Sequence, residues 1–382
     1  MAGAWLHRIG TATPRHDVHR AFEAYARTLL KGERERLLFD RMAERSGIAH
    51  RYSALEPGRL ADGEIDTAGF YRPGRFPSTA VRMARYEVDA LQLALEAVHA
   101  LAQRGVQGHA QRDLPPDTPP DALAAQLARV THLVLASCTG FCAPGLDVQL
   151  VDALGLRSDV QRTLVGFMGC SAALPALRVA QQAVRADADA LVLVVNVELC
   201  SLHLHESASL EELLSFLLFG DGASATLVGS APRGAQLLDF QSQLLPDSRG
   251  LITWHIGDSG FRMHLSGLVP GRIAEALGAE RERRDTGGLL RGLNPQDVAL
   301  WAVHAGGRTV LDAVQNGLAL HPAALADSRA VLQAVGNVSS ATVMFVLQRM
   351  LHTARPGQQG LALAFGPGLS AESMRFCMAD PP

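Results

Sequence analysis

Short apolar runs alternate along this chain with longer segments whose apolar residues recur every three or four positions. Thr131 to Ala136, Ala190 to Val197, Ala223 to Val228, Val298 to Val303 and Gly360 to Phe365 are apolar runs of strand length. Such runs suit strands buried on both faces of a sheet. Between 172 and 186, Ala172, Ala173, Ala176, Leu177, Val179, Ala180, Ala183 and Val184 fall at helical spacing. Pro175 is tolerable there because it lies near the helix start. The alternation predicts a largely parallel α/β architecture.

Two further runs matter for chemistry. Arg162 to Phe167 is short, apolar and β-prone, and Val331 to Val335 reads as a second strand ending at Gly336-Asn337, followed by a helix-like stretch from Ser339 to Met350. Val130 to Ser137 and Val298 to His304 occupy comparable places in the two halves, each ending in a small polar or Gly-rich turn, which hints at duplication. Gly105 to Asp121, with Pro115-Pro116 and Pro119-Pro120, has no periodicity and reads as a surface loop of no assigned function.

Composition narrows the class. At 382 residues and 48% hydrophobic content, the chain can bury a large core as two domains or one duplicated one. Lys plus Arg is 35 against 38 Asp plus Glu, a net charge of −3 without a basic stripe, so no nucleic-acid partner is expected. The segment Met1 to Arg8 lacks the apolar stretch of a secretory signal, and no later segment offers the roughly 18 apolar residues of a membrane span. A cytoplasmic protein is expected, with its five cysteines, Cys138, Cys142, Cys170, Cys200 and Cys377, reduced. Cys138 and Cys142 are four apart without a second pair, and His203 and His205 stand beside Glu206, but neither spacing is that of a zinc site; no metal is expected.

The candidate chemistry centres on Gly166-Phe167-Met168-Gly169-Cys170-Ser171-Ala172-Ala173. A cysteine between a strand and a helix sits where unpaired backbone N–H groups and the helix dipole favour thiolate over thiol. Alone, such a cysteine is more often a small core residue. Two other segments complete a constellation: Val303-His304-Ala305-Gly306-Gly307 presents an imidazole at a strand's carboxyl end, and Val335-Gly336-Asn337-Val338-Ser339-Ser340-Ala341 presents an amide in the same manner.

With these segments in place the sequence resembles the type III polyketide synthases, or chalcone synthase family, of the thiolase-fold condensing enzymes. The resemblance spans nearly the whole chain and rests on Gly169-Cys170-Ser171-Ala172, Phe219-Gly220-Asp221-Gly222-Ala223, His304-Ala305-Gly306-Gly307, Gly336-Asn337-Val338-Ser339-Ser340 and Phe365-Gly366-Pro367-Gly368-Leu369, in family order. It implies a thiolase-like fold, two duplicated βαβ-rich halves in a layered αβαβα arrangement. The nucleophile half would be 1–232, and 233–382 would carry the histidine and asparagine.

The resemblance also implies roles. Cys170 would hold the growing acyl chain and His304 would ion-pair with its resting thiolate; His304 and Asn337 would donate to the thioester oxygen of malonyl-CoA as carbon dioxide leaves. Phe219 would be a gatekeeper between CoA tunnel and acyl cavity, with Met263 where the family carries a second gatekeeper phenylalanine. Cys138, Thr139, Cys200, His203, Trp254, Ser339, Gly366 and Pro367 fall where the family shapes its substrate cavity, though each also reads as core packing. Arg41 and Arg45 match two of three basic CoA-binding positions in a helix near the N-terminus; Leu38 holds the third. Acyl-CoA and malonyl-CoA would be substrates, with no cofactor beyond these thioesters and a homodimer as the active unit.

The stretch Thr253 to Ser266 is most similar to bacterial members that extend fatty acyl-CoA starters into alkylpyrones or alkylresorcinols. A ketoacyl synthase III is the nearest alternative, but that family follows its histidine with Gln-Ala-Asn, where Ala305-Gly306-Gly307 stands here. A non-catalytic condensing-fold partner is the other, and such partners tend to lose the nucleophile.

Overall fold

The computed structural model describes residues 2–102 and 120–379. The expected loop 105–121 thus lies almost wholly outside the described residues. From the N-terminus, β1 (Ala4–Ala12) is followed by a short pair, β2 (His16–Asp17) and β3 (Tyr52–Ser53), which brackets α1 (His19–Leu29) and α2 (Glu33–Arg45). Then come α3 (Thr79–His99), α4 (Pro120–Leu127), β4 (His132–Ser137), α5 (Leu146–Leu154), β5 (Gln161–Gly166), α6 (Ala173–Ala186), β6 (Val192–Leu199), α7 (Leu210–Phe216) and β7 (Asp221–Gly229). The remainder runs through β8 (Ala235–Leu244), the hairpin β9 (Ile252–Gly257) and β10 (Gly260–Leu265), α8 (Val269–Glu282), β11 (Leu300–Val303), α9 (Arg308–Gly317), α10 (Ala326–Val335), α11 (Thr342–Thr353), β12 (Gln359–Gly366) and β13 (Ser370–Met378).

Nine strands form one sheet in the order β11-β12-β13-β8-β1-β7-β6-β4-β5. The order β4-β6-β7-β1 on one side is matched by β11-β12-β13-β8 on the other, each a parallel pair followed by two antiparallel ones. The two sides meet where Ala4, Trp5 and Leu6 pair with Leu237, Gln236 and Ala235. The expectation of a largely parallel sheet is therefore corrected: parallel pairing is confined to the two ends. A strand buried on both faces is apolar whichever way its neighbour runs, so the apolar runs carried no information about strand sense.

Alternation along the strands builds the layers. Leu133 and Leu135 pack outward against α3, whereas Val134 and Ala136 pack inward against α6. Trp301 and Val303 face the outer helices of the second half, and Ala302 faces α11. Both α6 and α11 lie in one buried layer with inner faces of both halves in contact, giving the helix–sheet–helix–sheet–helix layering of the thiolase-like fold. Val331 to Val335 is not a strand but the last part of α10, ended by Gly336 at φ +69°.

Candidate active site

The nucleophile turn is built by close packing of its glycine. Beyond β5, Gly169 to Ser171 form a 3₁₀ turn that leads into α6. Gly169 has φ +59°, and a Cβ there would strike the Pro367 ring. A Cβ on Gly366 would meet Ser171 Oγ and the Met168 carbonyl. The loop after β12 thus presses on the turn that carries Cys170, which is where the structure places Gly366 and Pro367. From the other side, the Gly169 N–H donates to Cys138 Sγ at 3.1 Å.

Asn337 reaches Cys170 from the second half. Its Oδ1 accepts from the Ser339 N–H at 2.9 Å and the Thr342 hydroxyl at 3.3 Å. Those bonds turn Nδ2 toward the Gly306 carbonyl at 3.3 Å and Cys170 Sγ at 3.9 Å. Ser339 Oγ lies 3.8 Å from the same sulfur. Asn337 follows a helix and not a strand, and a backbone bridge to Phe219 holds it: its N–H donates to the Leu218 carbonyl at 2.8 Å and its carbonyl accepts from Gly220 N–H at 3.0 Å.

His304 continues the line of β11, its N–H donating to the Leu363 carbonyl at 2.8 Å. Its side chain is buried, and neither ring nitrogen has a hydrogen-bond partner among the described residues. A buried imidazole without partners is costly in a folded core and is a feature to expect where a substrate supplies the partner. The Gly306 carbonyl, two residues on, is the one that Asn337 engages.

Electrostatics departs from the expected thiolate. Burial pushes the Cys170 thiol up to about 11; the Glu198 charge adds to this, and hydrogen bonds from Ser339 and Asn337 oppose it. Burial likewise pushes His304 down to about 3. Both shifts favour the neutral forms, because a dry environment penalises a thiolate and an imidazolium alike.

Glu198, on β6, is a site residue that the sequence reading missed. It is fully buried, accepts from the Cys138 N–H at 3.0 Å and the Thr139 hydroxyl at 2.9 Å, and takes the Ser340 hydroxyl on its other oxygen. Burial raises it to about 7 against these bonds. One acidic residue inside the apolar run Val192 to Leu199 was the available signal.

The other expected residues separate into groups. Cys138 and Thr139 are buried around Glu198. His203 is fully buried; its Nδ1 accepts from the Phe261 N–H at 3.0 Å, so Nε2 carries the proton and donates to the Thr139 carbonyl at 2.7 Å. Trp254 donates to the Cys138 carbonyl at 2.8 Å and packs edge-on against His203 and Phe261. Met263 faces Trp254 across the β9–β10 hairpin. Phe219 and Cys200 line a cavity of about 90 Å³ on the α1 side. Arg41 and Arg45 are exposed on α2, and the Arg45 carbonyl accepts from Arg308 at 3.2 Å. No group of three or more potential metal ligands occurs among the described residues.

Comparison with known proteins agrees with this geometry. Residues 123–232 match the N-terminal domain of chalcone and stilbene synthases, and 236–378 match the C-terminal domain. The chain belongs to the chalcone and stilbene synthase family, the type III polyketide synthases. This synthase is 32% identical over 389 residues to the alpha-pyrone synthesis polyketide synthase-like Pks18 of Mycobacterium tuberculosis, covering 98% of this chain and 91% of the relative. Its structure is similar to that of PKS-I from the brown alga Ectocarpus siliculosus, with TM-score 0.81, 29% identity and 99% of each chain covered. It is also similar to 1,3,6,8-tetrahydroxynaphthalene synthase from Streptomyces coelicolor A3(2), with TM-score 0.80, 27% identity and 98% and 99% covered. The synthase is accordingly a condensing enzyme of the acyltransferase type, and no described helix is long and apolar enough to cross a membrane.

Proposed function

We propose that this synthase loads an acyl-CoA starter on Cys170, extends it by repeated decarboxylative condensation with malonyl-CoA, and releases a cyclised pyrone or resorcinol-type product. The observation that carries the reading is the meeting of Cys170 Sγ with Asn337 Nδ2 at 3.9 Å, with Asn337 also engaging Gly306, two residues after a histidine whose ring nitrogens have no partner among the described residues. In loading, Cys170 Sγ attacks the acyl-CoA thioester carbon, its proton passes to His304, and CoA leaves as the thiol. In extension, the His304 and Asn337 N–H groups stabilise the enolate oxygen formed as malonyl-CoA loses carbon dioxide; the enolate carbon then attacks the Cys170 thioester, Cys170 Sγ leaves, and the lengthened chain, now on CoA, is passed back to Cys170 for the next round. No further cofactor enters this scheme.

The similarity to Pks18, named for alpha-pyrone synthesis, favours a pyrone product; a fatty acyl-CoA starter with two or three extensions is the reading taken from the pattern over Thr253 to Ser266. Arg41 and Arg45 are assigned to the CoA phosphates. The active unit is a homodimer, supported by β5: among the described residues it pairs only with β4, leaving an open edge that exposes Leu164, with Phe141 exposed nearby and packed on Phe167. The site of work is the cytoplasm.

The test is to supply acetyl-, hexanoyl-, lauroyl- and malonyl-CoA with labelled malonyl-CoA and identify products by mass. Long-chain pyrones support the starter; turnover of malonyl-CoA alone, unaffected by lauroyl-CoA, refutes it. Light scattering that shows an active monomer overturns the dimer.

A further inference from the structure

The β9–β10 hairpin carries Trp254 and Met263, yet no strand of the main sheet holds it: its two strands pair only with each other among the described residues. An isolated two-stranded ribbon is marginal by itself, so its place is set by the groups that grip it. One grip comes from the first turn of α3. The Thr79 N–H donates to the Asp258 carbonyl at 2.8 Å, and the Thr79 hydroxyl donates to the Gly257 carbonyl and accepts from the Gly260 N–H at 2.8 Å. Three residues on, Arg82 is 0% exposed and lies directly against Gly260, where φ is +100° and a Cβ would meet the guanidinium at 2.9 Å. No carboxylate pairs with this guanidinium among the described residues. It holds carbonyls instead: Nε donates to Pro77 at 3.0 Å, and one Nη donates to Leu202 and Leu204 at 2.6 and 2.9 Å.

Those last two carbonyls bracket His203, where the second grip begins. His203 Nδ1 accepts the Phe261 N–H at 3.0 Å, its ring stacks on Phe261 with centroids 4.2 Å apart, and His205 Nε2 donates to the Phe261 carbonyl at 3.0 Å. Two histidines thus take both backbone groups of one hairpin residue, and Arg82 holds the segment that spaces them. Burial, opposed by the Thr139 hydrogen bond and aided by the Arg82 charge, lowers His203 to about 3, which keeps Nδ1 an acceptor. From the hairpin the contacts run on to the nucleophile turn, since Trp254 donates to the Cys138 carbonyl and Cys138 Sγ accepts from the Gly169 N–H.

We infer that Thr79, Arg82 and His205 are positioning residues for specificity: with His203 they latch the hairpin, and with it Trp254 and Met263, at one place over the nucleophile half, and so fix how many malonyl units are added before the chain is released. The inference rests on the proposed extension of a starter held on Cys170. None of the three residues touches Cys170, His304 or Asn337 through a hydrogen bond, so loading is separate from the latch.

Removing Arg82 would strip three carbonyls of their donor and endanger the fold, so the latch is tested at its milder ends. The full-length synthase is prepared as Thr79→Val and His205→Ala, each beside a variant that keeps the bond, Thr79→Ser and His205→Gln. Each is given lauroyl-CoA with labelled malonyl-CoA, or malonyl-CoA alone where the parent ignores lauroyl-CoA. Products are resolved by number of extensions, and loading of Cys170 is timed separately with the same starter radiolabelled. Thr79→Val and His205→Ala are each expected to shift the ratio of minor to main product by about fivefold, the scale of one lost hydrogen bond, while loading stays within about twofold of the parent. Thr79→Ser and His205→Gln are expected to restore the parental ratio. An unchanged ratio in both bond-breaking variants overturns the latch, and so does a loss of product matched by an equal loss of loading. Amide hydrogen exchange across residues 252–265, read without substrate, is expected to quicken in Thr79→Val and His205→Ala only; parental exchange in all four variants overturns the latch whatever the product. A parent that turns over neither substrate refutes the proposed function, and hydrogen exchange then decides the latch by itself.

Discussion

The two halves of the molecule carry the same strand order and use it for opposite chemistry. In the first half, the turn that enters buried helix α6 holds a thiol; in the second, the turn that enters buried helix α11 holds an amide. The first half also carries the acid, Glu198 near the end of β6, whereas β12 ends in Ala364-Phe365-Gly366. The second half contributes neutral donors only. Duplication thus brings a nucleophile and its polarising groups together from opposite sides, while leaving each turn free to change without its twin.

The sharpest way to break this division is to remove the nucleophile. Cys170→Ala is expected to abolish acyl loading and product formation while the fold stays intact, since a small residue in the turn keeps its packing on Pro367. Radiolabelled acyl-CoA followed by gel analysis checks it. Label retained on the variant would move the nucleophile elsewhere. Next in size is the donor side. Asn337→Ala and His304→Ala are each expected to lose roughly 10²-fold in malonyl-CoA decarboxylation, the effect of removing one oxyanion donor. A variant at Asn337 that decarboxylates normally would end its assigned role.

Gly169→Ala follows, because it attacks the contact between the halves and no reacting group. The new Cβ meets Pro367 and the left-handed backbone at φ +59° is strained for alanine, together costing about 1–3 kcal/mol. A fall of several degrees in Tm with a partial loss of rate is expected. Gly47→Ala, also at positive φ but with open space around it, controls for the backbone part alone. Equal effects of the two substitutions would show that the Pro367 contact matters little.

The asymmetry between halves also explains what the sequence disclosed. The thiol turn was legible because β5 and α6 differ in period and Gly169-Cys170-Ser171 lies between them. His304 was legible for the same reason, at the end of β11. Asn337 was found through its motif but placed on the wrong element: Val331, Leu332, Ala334 and Val335 form an apolar cluster too short for periodicity to separate helix from strand. Gly336, which stops α10 and lies against Arg51 and the Leu218 carbonyl, was the missed stop signal. Protonation was not legible at all. The argument for a thiolate rested on the helix start and the imidazole, whereas the thiol is raised first by burial and also by the charge of the distant Glu198, with hydrogen bonds from Ser339 and Asn337 opposing.

The smallest expected effect isolates that buried acid. Glu198 raises the Cys170 thiol above its ordinary value, so Glu198→Gln should lower it while keeping an oxygen for the Thr139 and Cys138 donors. Alkylation by iodoacetamide reads the thiolate directly. In the parent its rate should climb with pH toward about 11, and in the variant the same curve should shift to lower pH. The sign for stability is opposite in origin. Glu198 is raised from its ordinary value to about 7 in the fold, so the folded chain holds a proton that the unfolded chain releases first. Its contribution is complete below the ordinary carboxylate range and is lost as pH rises through about 7. The parent's Tm should therefore fall between pH 5 and 8 more steeply than that of Glu198→Gln. A variant with an unshifted alkylation curve and an unchanged Tm slope would show that the carboxylate is neutralised by its hydroxyl donors and that the first half controls its thiol by burial alone.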